Sequence, residues 1–433
     1  MAKGVQVLPI DDILSSWQQE IIRLITQQAT QLGMPSYIVG GLVRDILMGV
    51  SSNDLDIVVE GDATALARAL VHDYGCKATY HSKFKTATLD VTGRKLTENG
   101  STNANLPHRS VTIDLISARS EKYEKPAILP TITLGSILDD LKRRDFTINA
   151  LAIRLDGEDR GKLLDPLDGS GDLKNGEIRI LHDNSFVDDP TRIYRAVRYE
   201  QRYQFNITEQ TMNLIPAARK YIRELSSERI RHELDLILDE QTCSEILARL
   251  DELDLLSVIH PALGWDQAAS ARFRNLYLQE EADLNIDSIK NIRWIVWLLS
   301  SSEQDLIRLA TSLQFDAGLK KSILAAARLW KTIPSIKDYK PSQWVEILEG
   351  LPLLAVFSVM LASNSEEIRP NLKTYKDQWR FVKPRTDGNK LKELGVIPGE
   401  KYHTILETLR TAWLDGKIST PEEEDKLLKS LIK

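Results

Sequence analysis

Cysteine is nearly missing from this chain: Cys76 and Cys243 are the only two in 433 residues, and no Cys-x-x-Cys pair occurs. The seven histidines form no cluster at ligand spacing. Both absences argue against a zinc site and a disulfide framework, and they fit a reducing compartment. No apolar run reaches the length of a membrane span, so no membrane partner is expected. The N-terminal segment lacks the apolar core of a secretion signal, and Asp11, Asp12 and Glu20 speak against an Arg-rich transit peptide; a cytoplasmic location is expected. An excess of positive charge is missing too. The formal net charge is −6 with 27% charged residues, so any polyanion has to be met by local basic patches rather than by the field of the whole chain. The length leaves room for about two to four domains.

What is present is concentrated near the start. Gly40-Gly41-Leu42-Val43-Arg44-Asp45 is followed by Asp54-Leu55-Asp56. On an extended segment the two carboxylates point to one side while Leu55 points to the other. Carboxylates so close repel one another unless a divalent cation sits with them. The glycine pair offers backbone unobstructed by side chains, as a phosphate-binding turn requires. Each part also has an ordinary reading, as a tight turn, a solvated strand end or a surface ion pair. Their conjunction within seventeen residues suggests a nucleoside triphosphate held for attack at its α-phosphate.

Hydrophobic periodicity predicts a helix over 13–32, strands at 37–39 and 54–59, a short helix over 44–48 and a longer one over 63–74. Residues 85–91 and 110–117 alternate as strands, with the polar 93–109 stretch as an exposed connection. Asp114 faces opposite to Val111, Ile113 and Leu115, and so shares the carboxylate face. Residues 121–135, with Pro126 and Pro130, read as a loop, and 136–141 and 146–154 as helical. From about Asp188 onward the pattern is almost wholly helical, punctuated by prolines including Pro334 and Pro341. The class is α+β: a mixed first third and an all-α remainder.

Two further stretches carry chemistry. Arg143 and Arg144 can reach triphosphate oxygens with forked hydrogen bonds. Asp145 and Asn149, four apart, share a helix face where a ribose hydroxyl could bind; a plain helix start capped by Asp145 reads equally well. In 188–199, Asp189 before Pro190 is a standard helix opening. That does not explain Arg192, Arg195 and Arg198 at three-residue spacing. An acid and a guanidinium three apart can read a base edge, the acid accepting from an exocyclic amino group. Cytosine and adenine carry an amino group beside an acceptor, so Asp189 with Arg192 suits CTP and ATP alike.

With these residues in hand, the chain resembles the class II tRNA nucleotidyltransferases, a family that includes CCA-adding enzymes and bacterial poly(A) polymerases. The Gly40–Asp45 and Asp54–Asp56 segments are similar to its first motif, and 143–150 to its second. Residues 165–179 look like the third, 188–192 like the amino-acid template, and Ser227–Ile230 with Glu233 like the fifth. The match runs over roughly 35–240, with a weaker echo in 388–416. It implies a polymerase-β-like nucleotidyltransferase palm (head, 1–155), a neck carrying the nucleotide-selecting helix (156–245), a helical body (246–365) and a helical tail (366–433).

By the same resemblance, Asp54 and Asp56 hold two Mg2+ ions that activate the RNA 3′-hydroxyl and neutralise charge as pyrophosphate leaves. Gly40, Gly41 and Arg44 hold the triphosphate. Arg144, Asp145 and Asn149 lie at the phosphate and sugar, Arg195 and Arg198 at the phosphates, and Asp189 and Arg192 at the base, with Asp114 as a supporting acid. The template opens with Asp188 where the family has Glu, one methylene longer. The tRNA acceptor stem and 3′ end would meet basic patches at Arg219, Lys220, Arg223, Arg229 and Arg231, and at 373–392 around Trp379 and Phe381; no protein partner is implied. Three functions compete: addition of CMP and AMP to complete CCA, addition of only part of it or of poly(A), and a non-catalytic RNA-binding relic. The intact acids and template residues count against the relic.

Overall fold

The structure is a computed structural model that describes residues 6–51, 55–91, 111–277 and 289–432. The predicted 93–109 connection and Asp54 therefore lie outside the described residues. The chain divides into two compact units, Met1–Leu225 and Ser226–Lys433.

The first unit is built on a sheet of strands β1 (Ser36–Val39), β2 (Asp56–Val59), β3 (Lys77–His81), β4 (Thr86–Asp90) and β5 (Thr112–Ser117), joined later in the chain by β8 (Ala152–Arg154) and β9 (Leu163–Leu164). Their order is β3-β4-β5-β2-β1-β8-β9. β2 and β5 run parallel, and the other neighbours run antiparallel. A separate hairpin pairs β6 (Arg119–Lys122) with β7 (Thr131–Leu134).

Alternation along β2 decides what lies on each face. Leu55, Ile57 and Val59 join a core with Ile21, Ile22 and Ile25 of the helix Ser16–Gln31 and with Leu66 and Leu70 of the helix Ala63–Tyr74. Val58 points the other way, into a smaller cluster with Tyr37, Val39, Ile137, Leu141 and Ala152. Asp56 shares the face of Val58. The Ser16–Gln31 helix starts where its sequence says it should: the Ser15 amide donates to Gln18 Oε1 at 3.0 Å, closing a capping box.

Several expectations fail, each for a physical reason. Residues 121–135 are not a plain loop. Thr131, Ile132 and Thr133 are β-branched, and Thr131–Leu134 pairs with 119–122, leaving Pro126 and Pro130 in the connection. Residues 146–154 are not a helix but a short 3-10 turn, Thr147–Asn149, followed by β8. That apolar run is buried against β1 and β9, and periodicity cannot tell such a strand from a buried helix. β3 escaped prediction because most of it is exposed and lacks the alternation of a half-buried strand. Pro334 does not end its helix, which runs through it from Ala317 to Ile336.

The second unit is helical among its described residues. Its helix Ser227–Asp239 is capped by Ser226, whose side chain accepts from the Arg229 amide at 3.4 Å. Trp294 stacks on Trp297 with ring centroids 5.3 Å apart and donates its indole N–H to Asp235 at 2.7 Å. Toward the C-terminus, the buried Glu424 carboxylate ties three segments, accepting from the Arg385 amide (3.0 Å), the Thr386 amide (2.7 Å) and the Trp413 indole (2.6 Å). No helix among the described residues is long and apolar enough to cross a membrane.

Because Ile57 is fully buried between Asp56 and Val58, Ile57→Ala should destabilise the first unit by about 2–5 kcal/mol. Denaturant unfolding followed by near-ultraviolet circular dichroism measures it, and a change near zero would show that the β2 core face is not what holds Asp56 in place.

Candidate active site

The acidic corner follows directly from strand register. In the parallel β2–β5 pairing, Asp56 stands opposite Asp114. Both lie on the face away from the main core, as alternation along 111–115 predicted. Asp56 is half-buried and Asp114 exposed, and Asp114 accepts from the Thr88 hydroxyl at 2.7 Å. No group of three acidic, His or Cys side chains with metal-binding geometry forms among the described residues. Two carboxylates side by side, offering oxygen donors alone, fit a hard divalent cation.

The glycine turn is shaped by its neighbour. Gly40 has φ +64° and ends β1 just before the helix Gly41–Leu47. Its N–H is already spent on the Leu151 carbonyl at 3.0 Å, so the turn's remaining offer is Gly41 and uncovered backbone. A side chain at Gly40 would run into Arg144 Nη1. Glycine is thus required twice, for its backbone angle and for the close approach of a guanidinium.

Arg144 is aimed by Asp140, which takes its Nη2 at 2.9 Å and takes Nη2 of Arg143 at 2.7 Å. Asp140 has no exposed surface. It sits on the helix Ile137–Lys142, whose start is fixed by a box between Ser136 and Asp139. Arg143 also reaches Glu121 of the hairpin at 3.1 Å, and Glu121 accepts from the Tyr123 hydroxyl at 3.1 Å. Burial pushes the Tyr123 hydroxyl pKa up, helped by the charge of Glu121.

A chain of bonds joins the first two motifs to the 191–203 helix. Arg44 donates to Asp45 at 2.8 Å and to Asn149 Oδ1 at 2.7 Å. Asn149 donates to Asp145 at 2.9 Å, and the Phe146 amide donates to the same oxygen at 2.8 Å. Arg195 donates from Nε to the other Asp145 oxygen at 2.7 Å and from Nη2 to the Tyr199 hydroxyl at 3.1 Å. Asp145 and Asn149 therefore meet as expected, although a 3-10 turn and not an α-helix brings them together. Burial works to raise the Asp145 carboxyl pKa. The charge of Arg195, the hydrogen bonds from Asn149 and Arg195, and the charge of Arg192 outweigh it and lower it to about 2.

The helix Thr191–Tyr203 opens one residue later than expected, with Pro190 at the cap position and Asp189 just before it. Asp189 accepts from the Thr191 amide at 3.0 Å and from its hydroxyl at 2.6 Å. Arg192 is buried, donating to Ser185 Oγ at 2.6 Å and to the Arg143 carbonyl at 2.9 Å. Asp188 ends the short helix Ser185–Asp188, with His182 4.0 Å away. Arg198 is buried against the Tyr199 ring, 5.5 Å from its centroid.

The third motif acts as a brace. Asp165 accepts from the Gly169 and Ser170 amides at 2.6 and 3.1 Å, and Asp172 accepts from Thr147 Oγ1 and from Arg179. A side chain at Gly169 would strike the Thr147 carbonyl. Site partners that the spacing did not single out are Asp140, Glu121, Tyr199 and Tyr203; the bulk of two aromatics near the end of an arginine-rich helix was the only signal for the last two.

Residues 36–179 match the family model described as Poly A polymerase head domain, and 204–265 the one described as probable RNA and SrmB-binding site of polymerase A. An A-adding tRNA nucleotidyltransferase of Halalkalibacterium halodurans is 33% identical over 93% of this chain and 90% of its own length. The chain belongs to the tRNA nucleotidyltransferase and poly(A) polymerase family. Another A-adding tRNA nucleotidyltransferase, from Geobacter sulfurreducens, is 31% identical over 94% of this chain; the chain spans 46% of that relative's length. Among solved structures, a CCA-adding enzyme of Thermotoga maritima complexed with tRNA CCA superposes with a TM-score of 0.75 at 28% identity, covering 98% of this chain and 100% of that one. The polymerase-β-like palm with a helical remainder thus stands, and nucleotidyltransferases of this family are generally metal-dependent.

The depressed Asp145 pKa has a definite sign. A carboxyl lowered from 3.8 to about 2 on folding contributes roughly 2 kcal/mol that is fully present above the unfolded pKa and lost as pH falls through about 2. Asp145→Asn should therefore be less stable than wild type near neutral pH, with the gap closing toward pH 2. Parallel denaturation curves across that range measure it; a gap independent of pH would mean that the ion pair with Arg195 carries none of the difference.

Proposed function

We propose that the chain is an enzyme, a template-independent nucleotidyltransferase that adds AMP, CMP or both from ATP and CTP to the tRNA 3′ end and releases pyrophosphate. The observation that carries this reading is the Asp56–Asp114 register beside a glycine turn packed on Arg144. It puts paired acids on one sheet beside a glycine turn that a guanidinium approaches closely. Addition of the terminal A alone is the favoured specialisation, because two relatives named A-adding match over more than nine-tenths of this chain. The acceptor stem and 3′ end of tRNA are the RNA partner, and the cytoplasm is the expected site of action. The division into head, neck, body and tail at 155, 245 and 365 is the layout proposed for these tasks.

Asp54 and Asp56, with Asp114 alongside, would hold Mg2+, which supplies charge neutralisation at the α-phosphate and a lowered pKa for the RNA 3′-hydroxyl. Gly41 and Arg144 face the triphosphate, the first by uncovered backbone and the second by a guanidinium whose direction Asp140 fixes. Asp145 and Asn149 hold the sugar side of the site in one geometry, so the nucleotide meets groups already oriented. Asp188 supports the template's start. Asp189 accepts from the amino group of cytosine or adenine, and Arg192 donates to the neighbouring ring acceptor. Guanine and uracil present the wrong pattern there. Arg195 and Arg198 add positive potential at the phosphates.

RNA contact is assigned to basic residues on both units. Arg223 and Lys220 are exposed, as are Lys373, Lys383, Arg385 and Lys392 near Phe381, which is 60% exposed. Arg231 departs from the expected patch, since its guanidinium bonds Asp235 at 3.1 Å and lies 4.4 Å from the Phe315 ring centroid. Binding through phosphates should weaken steeply with salt.

The decisive assay supplies labelled ATP or CTP with Mg2+ to tRNA ending before CCA, in CC, or in CCA. Incorporation of AMP on the CC-ending substrate is expected; AMP chains of many residues would mean poly(A) synthesis, and no incorporation on any substrate would support the relic instead. Asp56→Ala should lower incorporation by more than about a thousand-fold, on the scale of lost electrostatic catalysis, with RNA retention on filters unchanged. Arg192→Ala should relax the choice of base: a variant that rejects GTP and UTP as firmly as wild type would remove Asp189 and Arg192 from base selection.

A further inference from the structure

Arg44 is the residue on which the first motif and the nucleotide-selecting helix meet, and its surroundings leave little for a ligand. Its side chain is 7% exposed. The edges of the guanidinium are taken by Asp45, through Nε at 3.0 Å and Nη2 at 2.8 Å, and by Asn149, through Nη1 at 2.7 Å. Its carbon lies 4.7 Å from the Tyr203 ring centroid and 5.6 Å from that of Tyr199. Both rings belong to the helix Thr191–Tyr203, and they touch each other with centroids 5.8 Å apart. A planar cation bonded around its rim and covered by aromatic rings is a fastener rather than an open phosphate ligand.

Tyr203 contributes through its ring alone. Its hydroxyl is buried with no hydrogen-bond partner among the described residues, an arrangement that costs stability rather than adding to it. A phenylalanine would keep everything that touches Arg44. Tyr199 differs, because its hydroxyl accepts from Arg195 and its ring packs edge-on against Phe146 at 5.8 Å.

We propose that Arg44 and Tyr203 form a clamp that sets the register of the nucleotide-selecting helix against the glycine turn, which makes both positioning residues rather than groups that touch the nucleotide. This rests on the proposed nucleotidyltransferase reading and replaces the sequence expectation that Arg44 itself holds the triphosphate. The start of that helix is held by Arg192 on the Arg143 carbonyl and by Arg195 on Asp145, and the clamp adds the tie at its far end that sets the distance of Asp189 and Arg192 from the phosphate turn. The ring–guanidinium contact involves none of the basic residues assigned to RNA, so nucleotide affinity should feel its loss and RNA affinity should not.

The test compares Tyr203→Phe, Tyr203→Leu, Arg44→Lys and the double variant Arg44→Lys/Tyr203→Leu, reading KM for ATP and for CC-ending tRNA, ATP affinity by calorimetry, and thermal melting. Tyr203→Phe should match wild type within about two-fold. Tyr203→Leu and Arg44→Lys should each weaken ATP about ten-fold with the KM for tRNA unchanged, and the double variant should be no worse than either alone, as coupled residues behave. Losses that multiply in the double variant, or a Tyr203→Phe as impaired as Tyr203→Leu, overturn the clamp. Should Tyr203→Leu fail to melt cooperatively, Arg44→Lys beside Tyr203→Phe decides: an Arg44→Lys enzyme with wild-type ATP affinity sinks the proposal. Wild-type protein that binds ATP but adds nothing to any tRNA would count against the nucleotidyltransferase reading alone, and the calorimetric series would still decide the clamp.

Discussion

One buried carboxylate, Asp145, holds the candidate site together. It takes hydrogen bonds from Asn149, from the Phe146 amide and from Arg195, so it joins the second motif to the arginine-rich helix. Asn149 carries the link onward to Arg44 and the glycine turn. A buried charge of this kind is costly unless every lone pair is met, and here both oxygens are. Such a network favours a single arrangement, because any other would strand a charge away from water.

The acids depend on a different kind of constraint, the period of the strand. Asp56 and Asp114 share a face because residues on either side of each face the core. A one-residue slip in β5 would turn Asp114 into that core and Ile113 out of it. The hydrophobic register that stabilises the sheet therefore also fixes which acid meets which. Here folding and site geometry are set by the same residues.

Much of this was legible in the sequence, and the exceptions share a cause. Strand alternation gave the face of Asp114, and local turn chemistry gave the helix opening at Asp189-Pro190 to within one residue. Neither needs information from beyond a few residues. The strand Ala152–Arg154 was misread as helix because its partners, β1 and β9, decide its conformation and its own residues do not. The Arg44–Asn149 bond spans 105 positions, and nothing local to Arg44 announces either that bond or the rings of Tyr199 and Tyr203. Sequence spacing marked the charged groups of the site but not which of them pair with one another.

That pairing changes how the arginines of the 191–203 helix should be understood. Three at three-residue spacing suggest a basic band waiting for phosphate, yet each is engaged within the protein: Arg192 by Ser185 and a carbonyl, Arg195 by Asp145 and the Tyr199 hydroxyl, Arg198 against the Tyr199 ring. Two of them are buried. Their desolvation and ordering are met on folding, so the nucleotide of the proposed reaction would have no floppy guanidinium to immobilise before it is held. Low local dielectric would also strengthen the field they exert on the proposed triphosphate well beyond what the same charges would give in water. The net charge of the chain is negative, so under the proposed function this fixed and local positive potential, together with exposed lysines and arginines elsewhere, is what would let an acidic protein serve a polyanionic substrate.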